Sequence, residues 1–358
     1  MDSFLEVFNI GLFQNTLRTA TPVILAAMGG LMTEQAGIMN IGMDGMILIG
    51  AFVAVAFSFT MSSAAMGVLF AVLCGILIGL FFALFVVKLR SDEFIIGMAL
   101  NTFAGGLTVY LLRSIFGVKG TFSNVGIVAL PTVHIDFLDG IPLIGPLLND
   151  NSIFVYITWI LVLLAWLFLY RTPYGFWMRA AGEHPESLET AGVSPQKMKF
   201  LASILCGIFC GFAGAHLSLG YLTMFTEGMS NSRGFIAFAC VIFGMANPPK
   251  VFLAALLFGF LDALGLRLQS IGIPSDLTST LPYIATILML VYVVVSSKNK
   301  KKKKAPAAPV QEAPKAVAAP VVEETVPEAD DMELQAVITA AIAMYEEDMA
   351  SASGDAYV

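Results

Sequence analysis

Asn40 and Asp44 lie four positions apart in the stretch Thr33–Phe52, TEQAGIMNIGMDGMILIGAF, so on a helix they would share one face at the mouth of an apolar run. Polar side chains placed there either line a watery path or bond to a neighbouring helix, because hydrocarbon offers them no partner. Asn101 in GMALNTFAGG, His216, Glu227, Arg233 and Asp262 are further polar residues in or beside apolar runs. An ion-coupled mechanism would need an embedded acid, and Asp44, Glu227 and Asp262 are its candidates. The three histidines are scattered, and no acidic pair has the spacing of a proton relay. Cys74, Cys206, Cys210 and Cys240 include no C-x-x-C pair and have no histidine at zinc-ligand spacing, so they read as packing residues. No metal or cofactor is expected. The sequence contains no G-x-x-x-x-G-K-[ST], G-x-S-x-G or H-E-x-x-H, so the chain is not expected to bind and hydrolyse ATP through a P-loop.

Each polar residue also has a plainer reading. Gly37, Gly42, Gly45 and Gly50 permit close helix packing as well as a broken helix, Asp44 suits an interface, and Asn101 suits an interhelical hydrogen bond. Residue types alone leave pathway and packing both open. Gly207, Gly211 and Ala215, four apart, read as packing.

The elements that must hold these groups are membrane helices. Of 358 residues 58% are hydrophobic and 13% charged, with a mean hydropathy of +0.83, which excludes an ordinary soluble globule. The net charge of −7 disfavours a nucleic-acid partner, since a polyanion calls for clustered Lys and Arg. Residues 1–297 carry 12 Lys and Arg with 15 Asp and Glu, and residues 298–358 carry 7 and 11, so a membrane body precedes a different kind of segment. Apolar stretches at 15–32, 41–60, 64–87, 93–113, 152–170, 198–222, 234–247, 251–268 and 280–297 predict an all-α bundle of eight to ten spans. The stretch 234–247 is short enough to be broken or re-entrant. Asp2 and Glu6 precede any Lys or Arg, so no cleaved signal peptide is expected.

If the spans alternate, Lys88, Arg90, Arg171, Arg179, Lys197, Lys199, Lys250 and the run Lys298–Lys304 share one side, which should be cytoplasmic. The longest loop on the other side, 114–151, is expected to cap the bundle mouth or simply to connect. Residues 298–331, Lys-rich and then Ala/Pro/Glu-rich, read as a disordered cytoplasmic linker whose lysines lie near anionic lipid headgroups. Residues 332–358 carry one short amphipathic helix with its tail.

Between the fifth and sixth spans lies RTPYGFWMRAAGEHPESLETAGVSPQKMKF, Arg171–Phe200. Pro185 suits a first helical turn, Glu186 and Glu189 suit its positive end, and Gly192 suits the position after its last turn. A short surface helix capped by glycines, Gly182 and Gly192, is expected, either as a plain connection or as a docking helix.

MTEQAGIMNIGMDGMILIGAF resembles the hallmark segment of permease subunits of bacterial ABC importers for nucleosides and simple sugars. RAAGEHPESLETAGVSPQKMKFLASILCGIFCGFAGAHLSLG resembles the coupling-loop segment of the same family. FTEGMSNSRGFIAFACVIFGMANP matches too, and SDEFIIGMALNTFAGGLTVYLLR points to the second of the two dissimilar nucleoside permeases. The resemblance covers residues 10 to 297, with Asp44 where the family usually has Glu and His184 where Asn is common.

The resemblance implies a transport subunit rather than an enzyme, working by alternating access. Its implied partners are a cytoplasmic ABC ATPase, a second permease subunit and an extracytoplasmic substrate-binding lipoprotein. Arg179 to Val193 would be the coupling helix, with Arg179, Gly182, Glu183, Pro185, Glu186, Glu189 and Gly192 as its characteristic positions. Asn40, Asp44, Asn101, Glu227 and Arg233 become candidates for the substrate pathway. The rival readings are an ion-coupled secondary transporter and, from the tail's likeness to the small membrane subunit of sodium-pumping decarboxylases, a scaffold subunit of such a complex.

Overall fold

The computed structural model describes residues 9–134, 136, 144–270 and, further on, 273, 274, 277, 278, 280–282, 284, 286 and 287. All of these lie in one compact unit. The expected linker at 298–331 and amphipathic helix at 332–358 lie outside the described residues, as do most positions of the expected span at 280–297.

Helix α1 (Ile10–Gln35) is followed by α2 (Met43–Met61), α3 (Ala64–Lys88) and α4 (Glu93–Phe116). A capping region holds β1 (Thr121–Phe122), β2 (Thr132–Val133), the short α5 (Ile144–Leu148) and β3 (Asn151–Ser152). Then come α6 (Ile153–Arg171), α7 (Pro173–Glu183), α8 (Pro185–Thr190), α9 (Pro195–Tyr221), β4 (Phe225–Thr226), α10 (Arg233–Phe243) and α11 (Pro248–Ser270). Among the described residues six helices are long and apolar enough to cross a membrane: α2, α3, α4, α6, α9 and α11. The expected stretches at 15–32 and 234–247 form α1 and α10, which fall outside that group. At 11 residues, α10 is about 16 Å long at 1.5 Å per residue, about half the hydrocarbon thickness.

The core is built around α1, whose residues from Thr19 to Thr33 are all buried. Its hydroxyls satisfy themselves: Thr16 donates to Leu12 O at 2.8 Å, Thr21 to Leu17 O at 2.6 Å, and Thr19 crosses to Gly259 O on α11 at 2.9 Å. A polar helix is thereby tolerated at the centre without water. Pro22 sits inside α1. It has no N–H to give the carbonyl four residues back, and the buried His216 of α9 places Nε2 3.4 Å from that orphaned Arg18 oxygen. Read from sequence, His216 could have been functional; here it completes the core. Gly207 and Gly211 lie against Gly75 and Ala71 of α3, as their spacing predicts.

The described residues between 117 and 152 cover one end of the bundle. Ser58 Oγ donates to Val128 O at 2.9 Å and accepts from Val128 N at 3.1 Å, and Leu130 N donates to Leu219 O at 3.0 Å. β1 pairs antiparallel with β4, and β2 with β3. Arg18 Nε reaches Asn151 Oδ1 at 3.0 Å, tying α1 to the same cap. We call this the capped end. The basic end lies opposite, where Lys88, Arg90, Lys199 and Lys250 fall at or just beyond the ends of α3, α9 and α11.

Candidate functional site

After α1 the chain turns at Gly37, with φ +71°, and runs without helix to Met43. Asn40 therefore lies outside α2 and does not share a helical face with Asp44, contrary to the expectation from their spacing. Its Oδ1 accepts from Gly42 N at 2.9 Å and its Nδ2 reaches Cys206 Sγ at 3.3 Å. Cys206 is eleven positions beyond Pro195, the first residue of α9, so Asn40 lies about 16 Å from the basic end by helical rise. Asn101 on α4 holds the far side of this segment, accepting from Gly45 N at 2.8 Å and donating to Ile41 O at 3.1 Å. The Asn101 amide is spent on backbone, and that of Asn40 on backbone and the Cys206 thiol.

Asp44 occupies the first turn of α2, and its carboxylate also serves α10. Oδ1 accepts from Gly234 N at 3.0 Å and Oδ2 from Ser230 Oγ at 2.9 Å. Orphan N–H groups at a helix start favour an anion; α10 gets no side-chain cap from Ser232, the residue before it, and takes Asp44 instead. A Cβ on Gly234 would stand 2.2 Å from Asp44 N, so only glycine permits this approach. The first turn of α2 thus carries the carboxylate on which α10 begins, and the two helices diverge from it, α2 toward the capped end and α10 toward the basic end, where Ala246 O accepts from Gln35 Nε2 at 2.5 Å. Broken elements of this kind occur at membrane depth only against protein or a cavity.

The turn into α10 has left-handed backbone at Asn231 (φ 44°) and Ser232 (φ 61°). Arg233 holds it, with Nη1 3.3 Å from Met229 O and 3.4 Å from Ser230 O and Nη2 3.3 Å from Asp262 Oδ2 on α11. That ion pair, between residues 29 apart, went unforeseen because no periodicity links them. Glu227 stands apart from this group: Oε1 accepts from Gly120 N at 3.0 Å and lies 3.7 Å from Arg113 at the capped end. Among the described residues no group of three or more His, Cys, Asp or Glu is arranged to hold a metal.

At the basic end, the coupling helix that the resemblance implies over Arg179 to Val193 is parts of two helices, α7 and α8, broken at His184. A residue before proline avoids the helical region, and His184 has φ −143° and ψ 74°. Pro185 begins α8, and Gly192 follows it with φ +81°, as read from the sequence. Gly182 does not cap: it lies within α7, where an added Cβ would meet Gln35 O at 2.5 Å and Gly37 N at 2.8 Å. Arg179 stacks over the Tyr170 ring at 4.8 Å, and Ala181, Leu188 and Met198 form a small core beneath the pair. Glu183, Glu186 and Glu189 are exposed. A 350 Å³ groove runs beside Arg179, Glu183 and His184, and one of 600 Å³ separates Glu189 and Pro185 from Arg90, Asp92 and Lys199.

A surface element thus touches, backbone to backbone, the turn that leads to Asn40 and Asp44. Residues 12–292 match the family of branched-chain amino acid transport system permease components. The chain belongs to that family. The permease is 32% identical over 289 residues to the guanosine ABC transporter permease protein NupQ of Bacillus subtilis, covering 77% of this chain and 89% of that one. It is 31% identical over 290 residues to the nucleoside ABC transporter permease protein NupC of Lactococcus lactis subsp. cremoris, covering 77% and 90%. A third relative, TsgC13 of Haloferax volcanii, whose name assigns it provisionally to a glucose ABC transporter, is 33% identical over 308 residues, covering 80% and 92%. No solved structure matches the permease.

Proposed function

We propose that the permease is one of two dissimilar membrane subunits of an ATP-driven importer for a nucleoside or a simple sugar. Cargo would be delivered by an extracytoplasmic binding lipoprotein, and ATP would be hydrolysed by a cytoplasmic ATPase. The observation that carries this reading is the contact of Gly182 with the Gln35–Gly37 turn. A partner pressing on α7 and α8 would move that turn, and with it the segment that positions Asn40 and Asp44. Relatives from single organisms support the paired arrangement: the chain is 32% and 26% identical to NupQ and NupP of Bacillus subtilis, and 31% and 25% identical to NupC and NupB of Lactococcus lactis.

In this reading the basic end is cytoplasmic. α1 and the stretch at 280–297 complete the six apolar helices to eight spans, with α10 as a half-span, and the Lys-rich linker leaves on the cytoplasmic side. An ion-coupled transporter is disfavoured because each candidate acid already has a partner: Asp44 has Ser230 and Gly234, Asp262 has Arg233, and Glu227 has Gly120. The scaffold reading rests on the tail alone.

The test is reconstitution with the second permease, the ATPase and the binding protein, followed by uptake of guanosine, uridine, ribose and glucose. Uptake should require ATP and ignore imposed sodium or proton gradients. Uptake that follows a gradient and is indifferent to ATP would overturn the reading.

A further inference from the structure

A chamber of 300 Å³ lies between α1, the first turn of α10 and α11, walled by Asn231, Arg233, Phe258, Asp262, Gln269 and Thr278. It extends from the turn beside Ser230, which touches Asp44, to Gln269 near the capped end of α11. We propose that this chamber is a cargo site within the permease itself, taking a compact, uncharged, hydroxyl-bearing ring compound such as a nucleoside or a monosaccharide. The proposal rests on the importer reading and gives that reading a place for the cargo.

The chemistry follows from the walls. Arg233 and Asp262 neutralise one another at 3.3 Å, with side chains 13% and 32% exposed, so the pair is partly dehydrated yet still accessible. A charged ligand of either sign would meet one like charge and would have to break the pair, leaving its other member without a counter-ion. An apolar ligand would displace water from the ion pair and from the Asn231 and Gln269 amides without adding a hydrogen bond in its place. A polyol suits both conditions: its hydroxyls donate to Asp262 and accept from Arg233, Asn231 and Gln269. Gln269 Nε2 already donates to Thr278 Oγ1 at 2.8 Å, which fixes the amide at the wall. Phe258 and Val23 provide an apolar side for a ring face. The volume is at the small end of small-molecule sites, about 300 to 1,000 Å³, which excludes oligosaccharides and peptides.

The reconstituted assembly tests this in two ways. Leu266→Cys places a thiol on the chamber wall, and its rate of modification by a charged methanethiosulfonate reagent is read with and without guanosine, uridine, ribose or glucose, against unsubstituted protein as background. The transported compound should slow modification at least tenfold, and leucine should not. Gln269→Leu, which spares the ion pair, should lower ATP-driven uptake at least fivefold while assembly with the ATPase is unchanged; Asp262→Asn should lower it further. Unslowed modification together with Gln269→Leu uptake within twofold of the wild type would overturn the chamber and leave the importer intact. Failure of the wild type to take up any of the four compounds with ATP would overturn the importer, and because modification requires only binding, that assay would still decide the chamber.

Discussion

Replacing Gly182 by alanine adds one methyl group at the place where α7 meets the end of α1. The new carbon would stand 2.5 Å from Gln35 O and 2.8 Å from Gly37 N, both backbone atoms that cannot swing away. Overpacking of a close contact costs about 1–3 kcal/mol, and at 1.4 kcal/mol per decade that is roughly a 5- to 150-fold change in the balance between pressed and released arrangements. The ATPase would still bind, because Glu183, Glu186 and Glu189 on the exposed side are untouched. Uptake per ATP in proteoliposomes should therefore fall at least fivefold while ATP turnover and co-purification change little. Gly105→Ala is the matched control: its Cβ meets nothing within 4 Å, and within α4 alanine is the better helix former. Unchanged uptake per ATP in Gly182→Ala, with the protein folded, would refute the argument that force passes through this contact.

Other expectations follow from the same geometry. Glu186→Lys with Glu189→Lys should reduce recovery of the ATPase in pull-downs by several-fold while leaving membrane insertion unaltered. Asp44→Ala should destabilise the detergent-solubilised permease by about 2–4 kcal/mol, because two hydrogen bonds to a charged acceptor are lost together; Asp44→Asn should cost less, and thermal unfolding ranks the two. In a double-mutant cycle, Arg233→Ala and Asp262→Ala should couple by about 1–2 kcal/mol, below the fully buried range because Asp262 is partly exposed. His216→Leu should cost about 1–3 kcal/mol by stranding Arg18 O. In a Pro22→Ala background that cost should shrink, since an alanine N–H at position 22 supplies the missing donor.

Local signals in the sequence carried the surface elements well. Pro185 and Gly192 mark the ends of α8 because each imposes a backbone conformation by itself. The break at His184 obeys an equally local rule, the restriction on a residue preceding proline, which a single helix over Arg179 to Val193 ignores. Gly182 misled for the opposite reason: between an alanine and a glutamate it resembles a cap, and only the neighbouring turn of another element explains it. The interior was less legible. The spacing of Asn40 and Asp44 implied a shared face, but α2 starts at Met43, so the period does not apply. Arg233 with Asp262, and His216 with Arg18, are joined through space across 29 and 198 positions, beyond the reach of any pattern along the chain.

The carboxylate of Asp44 has a mechanical consequence. Because Asp44 belongs to α2 while its carboxylate holds the start of α10, either helix can retreat along its axis only by breaking the bonds to Gly234 N and Ser230 Oγ, so the two are expected to travel as a single strut. Any opening of a route through the bundle must then occur at seams held by contact alone, such as Gly75 against Gly207, where sliding breaks no hydrogen bond between side chains. The permease would shear along its glycine seams and pivot about a pinned centre.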